Sequence, residues 1–166
     1  MNLVWSDEIL EQISRVERAL ASTASPGAKL EVVLDAVVHI LEGEGGLIEV
    51  APSEGGPRLV GVKRGRVGRN SAECVAYVLS SGRSVAPAGL DGTPLADEPP
   101  EGFGPTLAVP LRAGKRIHGV LAVTLNGGPP LDAGLCAAIC FIGHCATNIL
   151  AGATGSPAVL PRGAPE

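Results

Sequence analysis

Residues 104–123, GPTLAVPLRAGKRIHGVLAV, constrain the fold of this chain more than any other stretch. Leu107, Val109 and Leu111 alternate in its first half, and Ile117, Gly119, Leu121 and Val123 in its second, the period of a β-strand. Ala108, Val120 and Ala122 make the intervening face apolar as well. The segment therefore predicts a hairpin covered on both sides of its sheet. The sequence Ala113-Gly114-Lys115 supplies the turn, with Gly114 free to take a positive φ.

At 166 residues the chain suits one domain with short extensions, and 45% hydrophobic against 18% charged residues is a globular balance. Only 2% of residues are aromatic, so the core must be built from aliphatic side chains, and an aromatic ligand box is excluded. A net charge of −4 and a pI near 5.4 argue against a nucleic-acid partner, which needs a clustered cationic surface. Lys63, Arg64, Arg66 and Arg69 form one basic cluster, read as a solvated loop because no aromatic residue stands beside it to stack on bases. No uninterrupted run of 18 apolar residues occurs and no basic-then-apolar leader precedes Asp7 and Glu8. The expectation is a cytoplasmic protein without a membrane partner, with Cys74, Cys136, Cys140 and Cys145 as reduced thiols.

Hydrophobic spacing predicts helices at residues 6–21, 28–42, 71–80 and 132–151. Strands are expected at 47–51, 58–62 and 83–87, besides the central hairpin. Ser6 is the cap of the first helix, Gly43 the stop of the second, Ser71 or Asn70 the cap of the third, and Asp132 the cap of the last. The third helix is expected to bury Ala72, Val75, Ala76 and Leu79. Residues 88–104, rich in Pro and acid, read as a binding loop or lid. The order is ααββαβ–loop–ββα, dividing into residues 1–27 (amphipathic helix and linker), 28–151 (the domain) and 152–166 (a disordered Gly/Pro/Ala-rich tail).

Ile9, Ile13, Val16 and Leu20 form a narrow seam on the first helix, and Leu135, Ile139, Ile142 and Ile149 one on the last. A helix this short needs a partner, either its own domain or a second copy of the chain. Cys136, Cys140 and His144 recur at i, i+4 and i+8, a spacing that soft metals use. Cys145 lies nearly opposite Cys136, so packing is preferred and no metal is assigned. His39 reads as a boundary residue, and His118 as a hydrogen-bonding residue at a sheet end or a protonation-sensitive pocket residue.

Three patches resemble the GAF family. They are Lys29-Leu30 with Val33-Leu34-Asp35 and Val37, then Val78-Leu79 with Ser81-Gly82-Arg83-Ser84-Val85, then the hairpin with Leu121-Ala122-Val123. The resemblance spans residues 29–150 and implies an α+β fold, a PAS-related central antiparallel sheet flanked by helices, with the N- and C-terminal helices packed together. It also implies a small-molecule pocket between the sheet, the third helix and the long loop. Cys74, Tyr77, Val78, Phe103, Thr106 and Val120 would line that pocket, with Arg83 and Asp91 as polar contacts; Tyr77 and Phe103 as core filler with no ligand is the preferred reading. Asn126 is followed by Gly127-Gly128 where cyclic-nucleotide-binding members carry a Lys and an Asp. Cys74 lacks the loop cysteines of free methionine sulfoxide reductases, and no Cys-His bilin motif stands in the loop.

The resemblance implies a noncatalytic bacterial sensor or regulatory module in signal transduction, working as a homodimer with a signalling protein partner. The two helical seams would form its dimer interface across a two-fold axis. A ligand-free scaffold is the alternative, and a thiol enzyme using Cys74 a third reading. No cofactor is named by the sequence.

Overall fold

Ser6, at φ −64° and ψ 161°, stands just outside helix α1 (Asp7–Ala21), and its hydroxyl accepts from the Ile9 N–H at 3.2 Å. Asp7 and Glu8 fill the first turn and Arg18 the last, the arrangement a helix dipole favours. These features follow the sequence expectation. Helix α2 (Pro26–Leu41) starts earlier than expected because Ser25 accepts from the Ala28 N–H and Pro26 occupies the first turn, where its missing N–H costs nothing. Its end also differs: Glu42, not a glycine, takes the left-handed conformation at φ 52°. Gly43 is needed next for space, since a Cβ there would sit 2.8 Å from the Thr124 carbonyl oxygen.

The computed structural model describes residues 5–51, 61–68, 71–85, 105–127 and 132–153. Asp91 and Phe103, with the rest of the loop over 88–104, lie outside the described residues. So do Arg69, Asn70, the turn at 52–57, most of the strand expected at 58–62 and the tail after residue 153.

Four strands form one antiparallel sheet: β1 (Gly45–Val50), β2 (Val62–Gly65), β3 (Thr106–Ala113) and β4 (Arg116–Thr124), in the order β2-β1-β4-β3. Strand β1 begins two residues before the expected position because Gly45 and Gly46 pair with Thr124 and Val123. The central hairpin is β3–β4, turning at Gly114 with φ 63°. Of the strand expected at 83–87, Val85 makes a two-hydrogen-bond bridge to Ala108 at 2.8 and 2.9 Å. Leu111 pairs with Gly119 but Arg112 with Ile117, leaving His118 as the extra residue of a β-bulge.

Helices α2 and α4 (Ala133–Ala153) cover one face of the sheet, on Ile48, Leu107, Leu111, Leu121 and Val123, and α1 packs against both helices. Helix α3 (Ser71–Ser81) covers the other, on Leu47, Ala108, Val120 and Ala122. Both faces of the hairpin are thus buried, as its two-sided apolar pattern requires. The buried face of α3 is Cys74, Val75 and Val78; Ala72 and Ala76 are exposed and Leu79 half-buried. The expected stripe is rotated because the larger Cys74 and Val78 bury more apolar area than alanines do.

Asp132 caps α4, its Oδ1 accepting from the Leu135 N–H at 2.8 Å. This helix is long and apolar enough to cross a membrane by length and composition. Gly, His, Thr and Asn residues punctuate it, which is why a search for uninterrupted apolar runs passes over it. Here its apolar face lies in the core, where Ala138, Ile139, Ile142, Ala146 and Leu150 are each at most 1% exposed. The Trp5 indole N–H donates to the Gly134 carbonyl oxygen at 2.9 Å, joining the starts of α1 and α4.

Candidate functional site

Of the residues assigned to a ligand pocket by resemblance, Cys74, Val78 and Val120 meet on the α3 face of the sheet, and Asp91 and Phe103 lie outside the described residues. Cys74, Val78 and Val120 have no exposed surface and share one apolar cluster with Leu47, Val75, Val85, Ala108 and Ala122. Tyr77 is half-buried against that cluster, Thr106 is buried, and Arg83 is exposed beyond the end of α3. Cys74, Val78 and Val120 therefore meet one another as packed core, the reading in which small side chains fill space. The Thr106–Thr124 pair closes one end of this face, where the Thr124 hydroxyl accepts from the Gly68 N–H at 2.9 Å.

Burial pushes the Cys74 thiol up to about 11. A nucleophilic cysteine needs the opposite shift and some exposure, so the geometry gives the thiol-enzyme reading no support. At the other end of the face stands His118. The bulge brings it and Ile117 to the same side of β4, and burial, then the neighbouring Arg116 charge, lowers its pKa below 6.5. His39 is exposed as expected, and its Nε2 lies 2.7 Å from Glu8 Oε1.

The two seams expected to pair between copies are spent inside one chain. Val16 and Ile142 are fully buried, Ile139 is 1% exposed, and Ile13, Leu135 and Ile149 are buried as well; Ile9 and Leu20 are half-buried against the same core. The partner that these amphipathic helices need is the chain's own domain. What α1 and α4 leave outside is different: Leu10 at 46% and Phe141 at 37% are the exposed large apolar side chains among the described residues. Neither was singled out by the sequence, because each breaks the a/d spacing of its helix.

Leu10 and Phe141 share one flank. Leu10 lies two turns before Glu17 on the same side of α1, and Phe141 one turn before Cys145 on α4. Burial first, and then the nearby Glu17 carboxylate, raises the Cys145 thiol. The two helices run parallel, since residue 5 bonds to residue 134 at their starts and the residue 17 carboxylate stands near residue 145 further along.

On α4, Cys136 is buried while Cys140 and His144 are exposed. Among the described residues no group of three or more His, Cys, Asp or Glu side chains is placed to hold a metal ion. Arg64 of the basic cluster is engaged: its Nε lies 2.6 Å from Asp35 Oδ1, while Arg15 reaches Asp35 Oδ2 at 2.9 Å. Asp35 thereby ties α1, α2 and β2 together.

No protein-family profile matches the chain, and no curated protein sequence does. Solved structures do match in fold. The GAF domain of a phosphoenolpyruvate-protein phosphotransferase from Acinetobacter is 15% identical, with 95% of this chain and 99% of that one covered at a TM-score of 0.63. The GAF domain of the potassium sensor histidine kinase from Escherichia coli is 17% identical, with 92% and 99% covered and a TM-score of 0.60. The free methionine-R-sulfoxide reductase from Neisseria meningitidis, solved with its substrate, is 13% identical, with 96% and 98% covered and a TM-score of 0.58. The chain has the GAF fold, with an α+β sheet flanked by helices.

Proposed function

We propose that this GAF-fold chain is a noncatalytic regulatory module that acts as a homodimer, through the outer flank of α1 and α4. The observation that carries the reading is the pairing of Leu10 and Phe141 on one exposed flank of two parallel helices. Exposed large apolar side chains gathered on one surface mark an interaction site more often than chance. A two-fold axis would bring the flank against its own copy and bury both residues twice. Two GAF-fold neighbours come from proteins named as a phosphotransferase and a sensor kinase, which supports a regulatory role alongside a signalling partner.

A ligand-free scaffold is the second reading, and the packed cluster of Cys74, Val78 and Val120 favours it. Both readings leave the output to another protein. Light scattering across a concentration series tests the dimer: twice the 16.7 kDa of one chain is expected. Leu10→Glu with Phe141→Glu should return a folded monomer, with a thermal midpoint that no longer depends on protein concentration. A wild-type chain that stays monomeric at high concentration overturns the proposal. Native mass spectrometry of freshly purified protein separates sensor from scaffold by a retained small molecule.

A further inference from the structure

We infer that the groove between the edge of β3 and helix α4 binds a small organic carboxylate with an apolar body. The groove holds about 380 Å³, at the low end of the range of small-molecule sites (~300–1,000 Å³). It opens at the β3 edge and shares no lining residue with the Cys74 cluster, so it is separate from the pocket that the family resemblance implies. It also stands independently of the dimer proposal.

The lining divides by chemistry. Val109, Leu111 and Ile139 supply apolar wall, and Gly143 leaves the α4 side without a side chain opposite Leu111. Arg112 and His144 stand at the polar rim with Ser84. Thr147 also lines the groove, but its hydroxyl already donates to the Gly143 carbonyl oxygen at 2.9 Å.

Three observations select the ligand. First, no Asp or Glu lines the groove among the described residues, although the chain as a whole carries a net charge of −4. Second, Arg112 makes no ion pair with a carboxylate among the described residues. One of its terminal nitrogens is held by the Gly82 carbonyl oxygen at 3.0 Å, which orients the guanidinium and leaves further N–H donors available. An oriented cation beside apolar wall suits an anionic head on an apolar body, and it repels an amine. Third, Pro110 disfavours a peptide strand as occupant. Ala108 directs both its N–H and C=O outward to Val85, so the next outward-facing nitrogen along this edge belongs to Pro110, which has no hydrogen to donate.

The test is an amide NMR titration of the full chain with hexanoate and phenylacetate, with hexanol and hexylamine as controls. A ligand this small should bind with a Kd of about 1 mM. The carboxylates should shift amides of residues 109–112 and 139–147 saturably, and the controls should not. Losing a charge-assisted hydrogen bond in Arg112→Gln should weaken binding about tenfold or more. Gly143→Leu keeps Arg112 but fills the groove, and should abolish the shifts while the rest of the spectrum stays dispersed. Alkylation of Cys140, which also lines the groove, should slow when hexanoate is bound. The inference is overturned if carboxylates give no saturable shift, if hexanol matches hexanoate, if the shifts fall on residues 74–78, or if both variants bind as the parent does.

Discussion

The Arg112 guanidinium donates to the Gly82 carbonyl oxygen at 3.0 Å, joining the outer strand of the hairpin to the end of α3. Gly82 sits there at φ 71°, and a Cβ on it would run into the same guanidinium. Gly82→Ala should therefore combine left-handed backbone strain with displacement of Arg112, at a cost of about 1–2 kcal/mol. Urea unfolding should show a lower midpoint with an unchanged slope. An unchanged midpoint would mean that the turn relaxes and the tie carries no stability.

Asp35 offers a different kind of test. Its side chain is 23% exposed between Arg15 and Arg64, which are 35% and 58% exposed. Partly exposed pairs are weak singly, but two guanidinium groups on one carboxylate form a small network. Asp35→Asn should cost about 1 kcal/mol at low salt, with much of the difference screened at high salt. A salt-independent loss would point to packing rather than charge.

The thiols should sort by accessibility. Cys140 is exposed, whereas Cys74, Cys136 and Cys145 are buried and none of the four is in a disulfide. Iodoacetamide on the native chain should add one label, at Cys140, and three more only on unfolding. That first reaction should still be slow at neutral pH, because burial and then Cys136 raise the Cys140 thiol above its usual 9.0. Rapid labelling of Cys74 would contradict its place in the core.

Stability should fall at both ends of the pH scale for separate reasons. Cys74 is raised from 9.0 to about 11, so the unfolded chain gives up its proton first. Its contribution is complete below pH 9 and is lost as pH rises through about 11. His118 is lowered from 6.5, so the unfolded chain takes up a proton first as the solution is acidified. Its contribution is present above pH 6.5 and is lost as pH falls through its folded value. Cys74→Ala should flatten the alkaline limb of a stability curve, and His118→Gln the acidic limb. Each substitution should leave the opposite limb in place.

Element order was legible in the sequence because alternation in the hairpin and i, i+3, i+4 spacing in the helices both report burial directly. The caps at Ser6 and Asp132 were legible for the same reason: short polar side chains stood where orphan N–H groups needed them. The end of α2 was not, since Glu42 adopts its left-handed conformation for the sake of Gly43, which must pass close to Thr124 some eighty residues on. The bulge at His118 was equally hidden, because it exists only in the register between two strands. The seams on α1 and α4 were read correctly as apolar, but spacing alone does not say whether such a stripe meets its own domain or another copy. Cys74, Val78 and Val120 share one apolar cluster, and their tight packing depends on side-chain volumes around them that periodicity does not encode.

The indole of Trp5 on Gly134 fixes more than a contact. Because α1 and α4 start side by side and run the same way, the chain enters this helix pair at one end and leaves it, near Ala153, at the other. At 1.5 Å per residue those two points stand about 30 Å apart. A protein fused ahead of Trp5 and another fused after Ala153 would thus be held apart along one axis. The helix pair is a spacer between its two ends.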